Sequence, residues 1–509
     1  MQVKYKKKGS ITVFLTMLLL LIASFFFALL EISRIRGLHT KAELVNDVAL
    51  ESVFAEYRKK IYEDYGLLLL DGSYGSDRLQ MGKMEYRLEE MICKNLYDEK
   101  RQEVDFYQLN AVDCQIPRYQ LVTDQGGAAF RSLAADAAKQ EAAASILEDF
   151  SEEITQKKTM EKENGSVEDY LKAAEKAKEE AAKKQEQQSA NNQEGGEGSA
   201  GNNNSQMSNN SASNTGENVE NPIEEIKRYR KSRILSMVVR NGESLSKKAI
   251  STESALEHRQ LEKGNLQVET QFLDEMWFLK YLESHFGCYG RIQADRALDY
   301  ELEYILKGKD SDAENLEGVA KNLIAIREIS NLAYLAKDVN KQAEAGELAV
   351  ALMGWTLLEP VIAATKWGIL ASWAYMESVL DVRALLEGKR IAWMKTAEQW
   401  TSGLGGVADT MGGFAMSKDC ENGWNYIRYL QFLLCLKKDS KINYRSMDLI
   451  EVNINNSENL TLQMDHMIAA CKAEVDYKAE PLFWNYVYLG NESWDGFTIK
   501  RKRRYSYSD

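Results

Sequence analysis

Proline is nearly missing from this chain of 509 residues. Pro117, Pro222, Pro360 and Pro481 are the only four, where average usage would give roughly 25. With so few helix breakers, long helices are open to the chain. Histidine is equally scarce, at His39, His258, His285 and His466, and no H-E-x-x-H pair occurs. The six cysteines (Cys93, Cys114, Cys288, Cys420, Cys435, Cys471) contain no C-x-x-C, so zinc-ribbon and thioredoxin-like chemistry lose their signature. Their even count permits disulfides, their sparse spacing equally permits buried thiols, and no pairing follows. A basic excess is lacking too. Lys and Arg number 64 against 77 Asp and Glu, a net charge of −13, which argues against nucleic acid as a partner. Neither G-x-x-x-x-G-K-[ST] nor G-x-S-x-G is found, so phosphate-loop and α/β-hydrolase chemistry have no carrier. The glycines at 403, 405, 406, 412 and 413 read as a flexible loop.

What is present begins with an address. Lys4, Lys6, Lys7 and Lys8 precede Gly9 and Ser10, and Ile11 to Leu30 then run without a charge. As a helix that run is ~30 Å long, one hydrocarbon core. It exceeds the apolar region of a cleavable secretory peptide and lacks a small-x-small cleavage site. The expectation is a signal anchor in the cell membrane, single-pass, with the lipid bilayer as partner. The four lysines keep residues 1–9 cytoplasmic and the body outside. Behind the span, Ile35, Leu38, Ala42, Val45 and Ala49 repeat at three and four residues, one helical face. We read one helix from about Ser10 to Tyr65; these five positions are either the face of a membrane stalk packed on its own domain or, in the sharper reading, the docking face of a pilin-like helix.

Further along, Leu67 to Leu70 read as a short buried strand, 77–97 as helix and 103–123 as strand. The Ala-, Glu- and Lys-rich stretch 124–184 reads as a helical arm. Residues 185–220, rich in Asn, Ser, Gly and Gln, cannot bury enough apolar surface to order themselves. The remainder, 221–509, reads as a helical body ending in strands. In it, Ile223 to about Gly264 and Thr270 to His285 are expected as helices. The alternation from Leu298 to Leu306 has the period of a strand. Leu348 to Tyr375 reads as a buried helical hairpin, because Glu359, Lys366 and Pro360 interrupt it as a membrane span. The strands of 460–477 and 497–505 are expected to join 103–123 in one sheet.

Candidate chemistry is thin. His285 and Cys288 read as a packed helix end and not a metal fragment. Glu301 and Glu303 on a strand would share one solvated face. Asp310 and Asp312 read as a surface turn before the S-x-x-E capping box of Ser311 and Glu314. Lys500 to Arg504 reads as a charged strand edge, with anionic wall polymer or lipid headgroups as the other reading. No catalytic residue, cofactor or metal ligand is expected.

Two resemblances add to this. Lys8-Gly9-Ser10-Ile11-Thr12-Val13-Phe14, then Leu30-Glu31-Ile32-Ser33-Arg34 and Asn46-Asp47-Val48-Ala49-Leu50-Glu51, resemble the anchor of TadE/TadG-like pilus proteins. That resemblance makes Gly9 and Ser10 a candidate processing site. Phe14 stands where processed pilins carry Glu, which speaks against cleavage and against a major filament subunit. The stretches 298–306 and 308–312, Ile326-Arg327-Glu328 with Asn331, Asp381-Val382-Arg383, Tyr429-Leu430 and Arg445 to Ile450 resemble an uncharacterised family of single-pass Gram-positive envelope proteins encoded near Tad pilus genes. The expected fold is α+β and mostly helical: a transmembrane helix continuing into a long pilin-like helix, and an extracytoplasmic helical body with an antiparallel sheet. The expected role is a non-enzymatic accessory or minor component of a Tad-type pilus or related secretion apparatus, with its membrane proteins as partners. The alternative is an envelope enzyme or ligand-binding protein, marked by a charged cleft. A sensor reading ranks last, for want of a cytoplasmic output domain.

Overall fold

The computed structural model describes residues 9–96, 105–141, 158–159, 221–240, 245–267, 274–437, 440–458, 461–483 and 496–507. The orienting lysines at 4 to 8, most of the 124–184 arm and the whole of 185–220 lie outside these residues. The chain divides into two units. One is Met1–Glu141, Ala255–Tyr281 and Ser446–Asp509; the other is Ala142–Ser254 and Leu282–Arg445. The division therefore does not follow the sequence boundary at 221, because the C-terminal strands return to the first unit.

The first unit opens with α1 (Gly9–Phe54), 46 residues without a break. Its environment switches sharply. Side chains from Ile11 to Leu21 are exposed, whereas Glu31, Arg34, Leu38, Ala42, Val45, Ala49 and Val53 are buried. The expected continuation to Tyr65 is interrupted. The Arg58 N–H donates to Leu69 O at 2.9 Å and the guanidinium pairs with Asp71, so the chain turns here and α2 (Lys59–Tyr65) starts afresh. Gly66 ends α2 at φ 65°, a left-handed cap that favours glycine. The expected strand follows as β1 (Leu70–Asp71), then α3 (Met81–Leu96), β2 (Leu109–Leu121) and α4 (Asp124–Glu141).

The expected sheet forms from both ends of the sequence. The central strand is β3 (Met467–Ala479), paired on one side with β2 and on the other with β1 and β4 (Phe497–Ser506), all antiparallel. Along β3 the alternation is strict: Cys471, Ala473, Val475, Tyr477 and Ala479 are buried, while Lys472, Glu474, Asp476 and Lys478 face the other side. The buried row packs with α1 and α3 through Leu38, Ala42, Val45, Ala49, Met84, Leu88 and Ile92. Each large side chain buried there contributes about 1.5–3 kcal/mol.

In the second unit the labelled helices are α5 (Glu301–Lys307), α6 (Asp312–Leu335), α7 (Val339–Met353), α8 (Glu359–Leu386) and α9 (Tyr426–Leu436). Two sequence expectations need correction. The period-two stretch at 298–306 is not a strand. It becomes α5 because both its polar and its apolar positions are buried, which removes the distinction alternation relies on. The helix expected over 223–264 is confined to Pro222–Arg230 and Ile234–Val238. Beyond them, Ile250 N–H bonds Asp310 O and Leu256 N–H bonds Asp448, so the backbone is engaged outside any helix. The expected hairpin exists as α7 and α8, but its burial is uneven: Ala345 and Ala349 are buried in α7, and α8 is mostly buried only from Ile369 onward. At its turn Trp355 is 78% and Leu357 88% exposed.

Candidate functional site

A buried polar cluster in the second unit joins α6 and α8. Arg327 is wholly buried. Its Nε donates to Asp381 Oδ2 at 2.9 Å, and its Nη1 to Trp393 O at 2.8 Å and Tyr429 Oη at 3.0 Å. Asn331 Nδ2 reaches the same Asp381 oxygen and Ser378 Oγ, both at 3.0 Å. Lys395, also buried, pairs with Glu377 and Asp381 and donates to Ser417 Oγ at 3.1 Å. Glu377 in turn accepts from the Thr401 and Ser402 N–H groups. Burial alone would raise the Asp381 carboxyl. Arg327 and Lys395 outweigh it and hold that carboxyl below its ordinary value. Every charge in the cluster is compensated, as a buried ionic network requires. The charged groups answer one another, and the arrangement ties α6 to α8. Two residues on, Arg383 faces elsewhere and gathers the carbonyls of Met237, Met411 and Ala415; burial without a carboxylate lowers it to about 10.

The paired glutamates are corrected as well. Glu301 and Glu303 do not form a solvated face: both are fully buried. Glu301 accepts from the Gly287 N–H at 2.8 Å. Glu303 accepts from the Tyr289 N–H at 2.9 Å and from Tyr426 Oη–H at 2.7 Å. Burial pushes Glu303 up to about 7 against the pull of those donors. Asp312 is likewise no surface residue. Fully buried, it accepts from the Asp299 and Tyr300 N–H groups and from Ser246 Oγ–H. Of the expected capping box the N-cap bond is present, with Ser311 Oγ accepting from the Glu314 N–H at 3.3 Å. Gly308 closes α5 at φ 66°, and a Cβ there would meet the Arg445 guanidinium at 2.4 Å. Glycine is required at this position on both counts.

In the first unit, the docking face of α1 is turned inward. Leu38, Ala42, Val45 and Ala49 are buried against the chain's own sheet and α3, and Ile35 is half-buried. The intramolecular sheet covers the face that the sequence reading offered to a partner. Ile32, Leu44 and Val48 remain exposed. At the base of the span Arg34 pairs with Glu31 at 2.8 Å and donates to the Phe106 and Tyr107 carbonyls, while the Phe483 N–H donates to Glu31. Gly9 and Ser10 open the helix and are brought near no described site.

One cleft of about 320 Å³ in the first unit is lined by Glu56, Arg58, Lys59, Lys60, Asp71 and Glu458 among others. Its cations are spoken for: Arg58 by Asp71, Lys59 by Glu63, Lys60 by Asp64. A second, of about 420 Å³ and mainly apolar, lies in the second unit beside Arg233, Val239 and Phe414. Among the described residues no three or more His, Cys, Asp or Glu side chains are grouped to hold a metal ion. The six cysteines are free thiols, with burial raising Cys114, Cys288 and Cys471 to about 12.

These features define an α+β protein, mostly helical, with a small antiparallel sheet and one N-terminal helix long and apolar enough to cross a membrane. Over residues 212–479, more than half of the chain, it matches the model of a family of unknown function, DUF5702, and it belongs to that family. No curated protein and no solved structure matches it. The polar groups of Arg327, Asn331, Asp381 and Tyr429, prominent in the sequence, are consumed inside the second unit.

Proposed function

We propose that the protein is a non-enzymatic, single-pass accessory or minor component of a Tad-type pilus or a related envelope secretion apparatus, its body outside the membrane. The observation that carries this reading is the two-part helix α1. Its first half exposes Ile11, Phe14, Leu18, Leu19 and Phe25, which in water would be untenable as one continuous patch. Its second half is the spine of an antiparallel sheet. That construction suits a protein held in a bilayer by one helix and displaying a folded head. Because Ala42 and Ala49 are covered, contact with membrane partners falls to the span itself and to Ile32, Leu44 and Val48. The closed ion network between α6 and α8 fits a structural role for the second unit. The experiment is affinity purification of the full chain from native membranes after cross-linking, beside a variant lacking Gly9–Arg36. Pilus or secretion membrane proteins should accompany the first and be lost from the second. Recovery of the same partners with both would defeat the proposal.

A second reading, ligand binding, is favoured by one observation, the charged cleft at Glu56–Lys60. Against it stands the internal pairing of Arg58, Lys59 and Lys60.

A further inference from the structure

The basic run Lys500–Arg504 is divided by the pleat of β4. Arg501 and Arg503 turn toward α1, where Arg501 meets His39 and Arg503 pairs with Asp47 at 3.1 Å. Lys500, Lys502 and Arg504 turn to the open face. There the register places Lys500 beside Asp476 and Lys502 beside Glu474, each an ion pair at 2.8 Å. Arg504 breaks the pattern. Its neighbour on β3 is Lys472, and the neighbour of Lys472 on β2 is Arg118. Three cations thus stand in line across three adjacent strands, roughly 10 Å from first to last at the usual strand spacing. Arg118 and Arg504 are exposed and Lys472 half-buried. None of the three has an ion pair or hydrogen bond among the described residues. Like charges directly opposite on neighbouring strands destabilise a sheet, and among the described residues the nearby anion is Glu474, which is already paired with Lys502 and offsets Lys472 and Arg118 only in part.

We propose that the row Arg118–Lys472–Arg504 binds an extended phosphodiester polymer, whose successive charges supply the missing anions. Three features of the face choose this occupant. Among the described residues it carries no aromatic side chain, so it lacks both the anchors of a protein interface and the stacking platform of a single-stranded nucleic acid. Among the described residues Val112 is its one exposed large apolar side chain. Its distance from the anchor excludes lipid headgroups, a step that rests on reading α1 as the membrane span. Asp47, which holds Arg503 beside the row, lies seventeen residues beyond Leu30 on the same helix, about 25 Å along the axis. That exceeds the headgroup layer plus a Debye length of roughly 10 Å.

The test uses the full chain in nanodiscs of zwitterionic phosphatidylcholine, with poly(glycerol phosphate) as the probe, titrated between 50 and 200 mM salt. Binding should weaken with salt at a logarithmic slope of about −2, three contacts at roughly 0.7 each. R118Q/K472Q/R504Q should bind at least tenfold more weakly with an unchanged or higher melting temperature, while K94Q, on an exposed turn of α3, should match the wild type. Absence of binding, binding unaffected by the triple variant, or equal affinity for duplex DNA of the same length would each overturn the proposal. A chain that fails to enter nanodiscs refutes the anchor reading; one that enters and ignores the polymer refutes the row alone.

Discussion

Lys395 shows how a single side chain can be indispensable without touching any ligand. It neutralises Glu377 and Asp381 at once, both fully buried. Lys395→Met should destabilise the protein by about 3–5 kcal/mol, since it leaves buried carboxylates short of a counter-charge. Chemical denaturation of the full chain would show it, and a change under 1 kcal/mol would mean that water reaches the cluster. Glu303 adds a pH dependence of definite sign. Its folded value is raised to about 7 from an ordinary 4.5. The fold therefore holds a proton the unfolded chain has released, so this contribution is full below about pH 4.5 and is lost as pH rises through 7. Glu303→Gln keeps an acceptor for Tyr289 and Tyr426. It should narrow the gap in melting temperature between pH 5 and pH 8, the variant gaining on the wild type at pH 8. Equal differences at both pH values would contradict the burial argument.

At the scale of elements, α1 is the informative one. Its repeat at Leu38, Ala42, Val45 and Ala49 is legible in the sequence, but a repeat states only that a face is covered, not by what. The two alanines let the helix approach the sheet closely. Ala49→Leu, at a wholly buried site, should overpack the core at a cost of about 1–3 kcal/mol while leaving membrane attachment intact. Thermal unfolding paired with membrane fractionation separates the two effects; loss of attachment with unchanged stability would restore the docking role of this face. The stretch 298–306 has a strand's period yet folds as α5 for a related reason. Glu301 and Glu303 look solvated by type, and the N–H groups of Gly287 and Tyr289, brought in by the turn before α5, together with the Tyr426 hydroxyl make their burial tolerable. No local pattern in the sequence reports such donors.

For the whole molecule, the family match and the fold have different limits. The matched region 212–479 ends with β3, yet β3 takes its partners from 70–71, 109–121 and 497–506. A fragment of 212–479 would leave both edges of that strand open and Val475 and Tyr477 uncovered. We expect it to aggregate, or to exchange amide hydrogens rapidly across 467–479 where the full chain protects them. A soluble fragment protected there would show that the sheet is dispensable.

Legible in the sequence alone were the apolar span, the mostly helical character, the cap at Ser311, and the union of 109–121 with the C-terminal strands. These follow from length, hydropathy, period and local capping chemistry, which act over a few residues or set a simple alternation. Tertiary structure alone decided that the small-residue face of α1 turns inward, that Glu301, Glu303 and Asp312 are buried, and that Lys472 stands between Arg118 and Arg504. Each depends on which backbone group or charge from another element arrives beside the residue, and the register of β3 with β2, hundreds of residues earlier, and with β4 is fixed by packing of the whole unit, not by any neighbour in the chain.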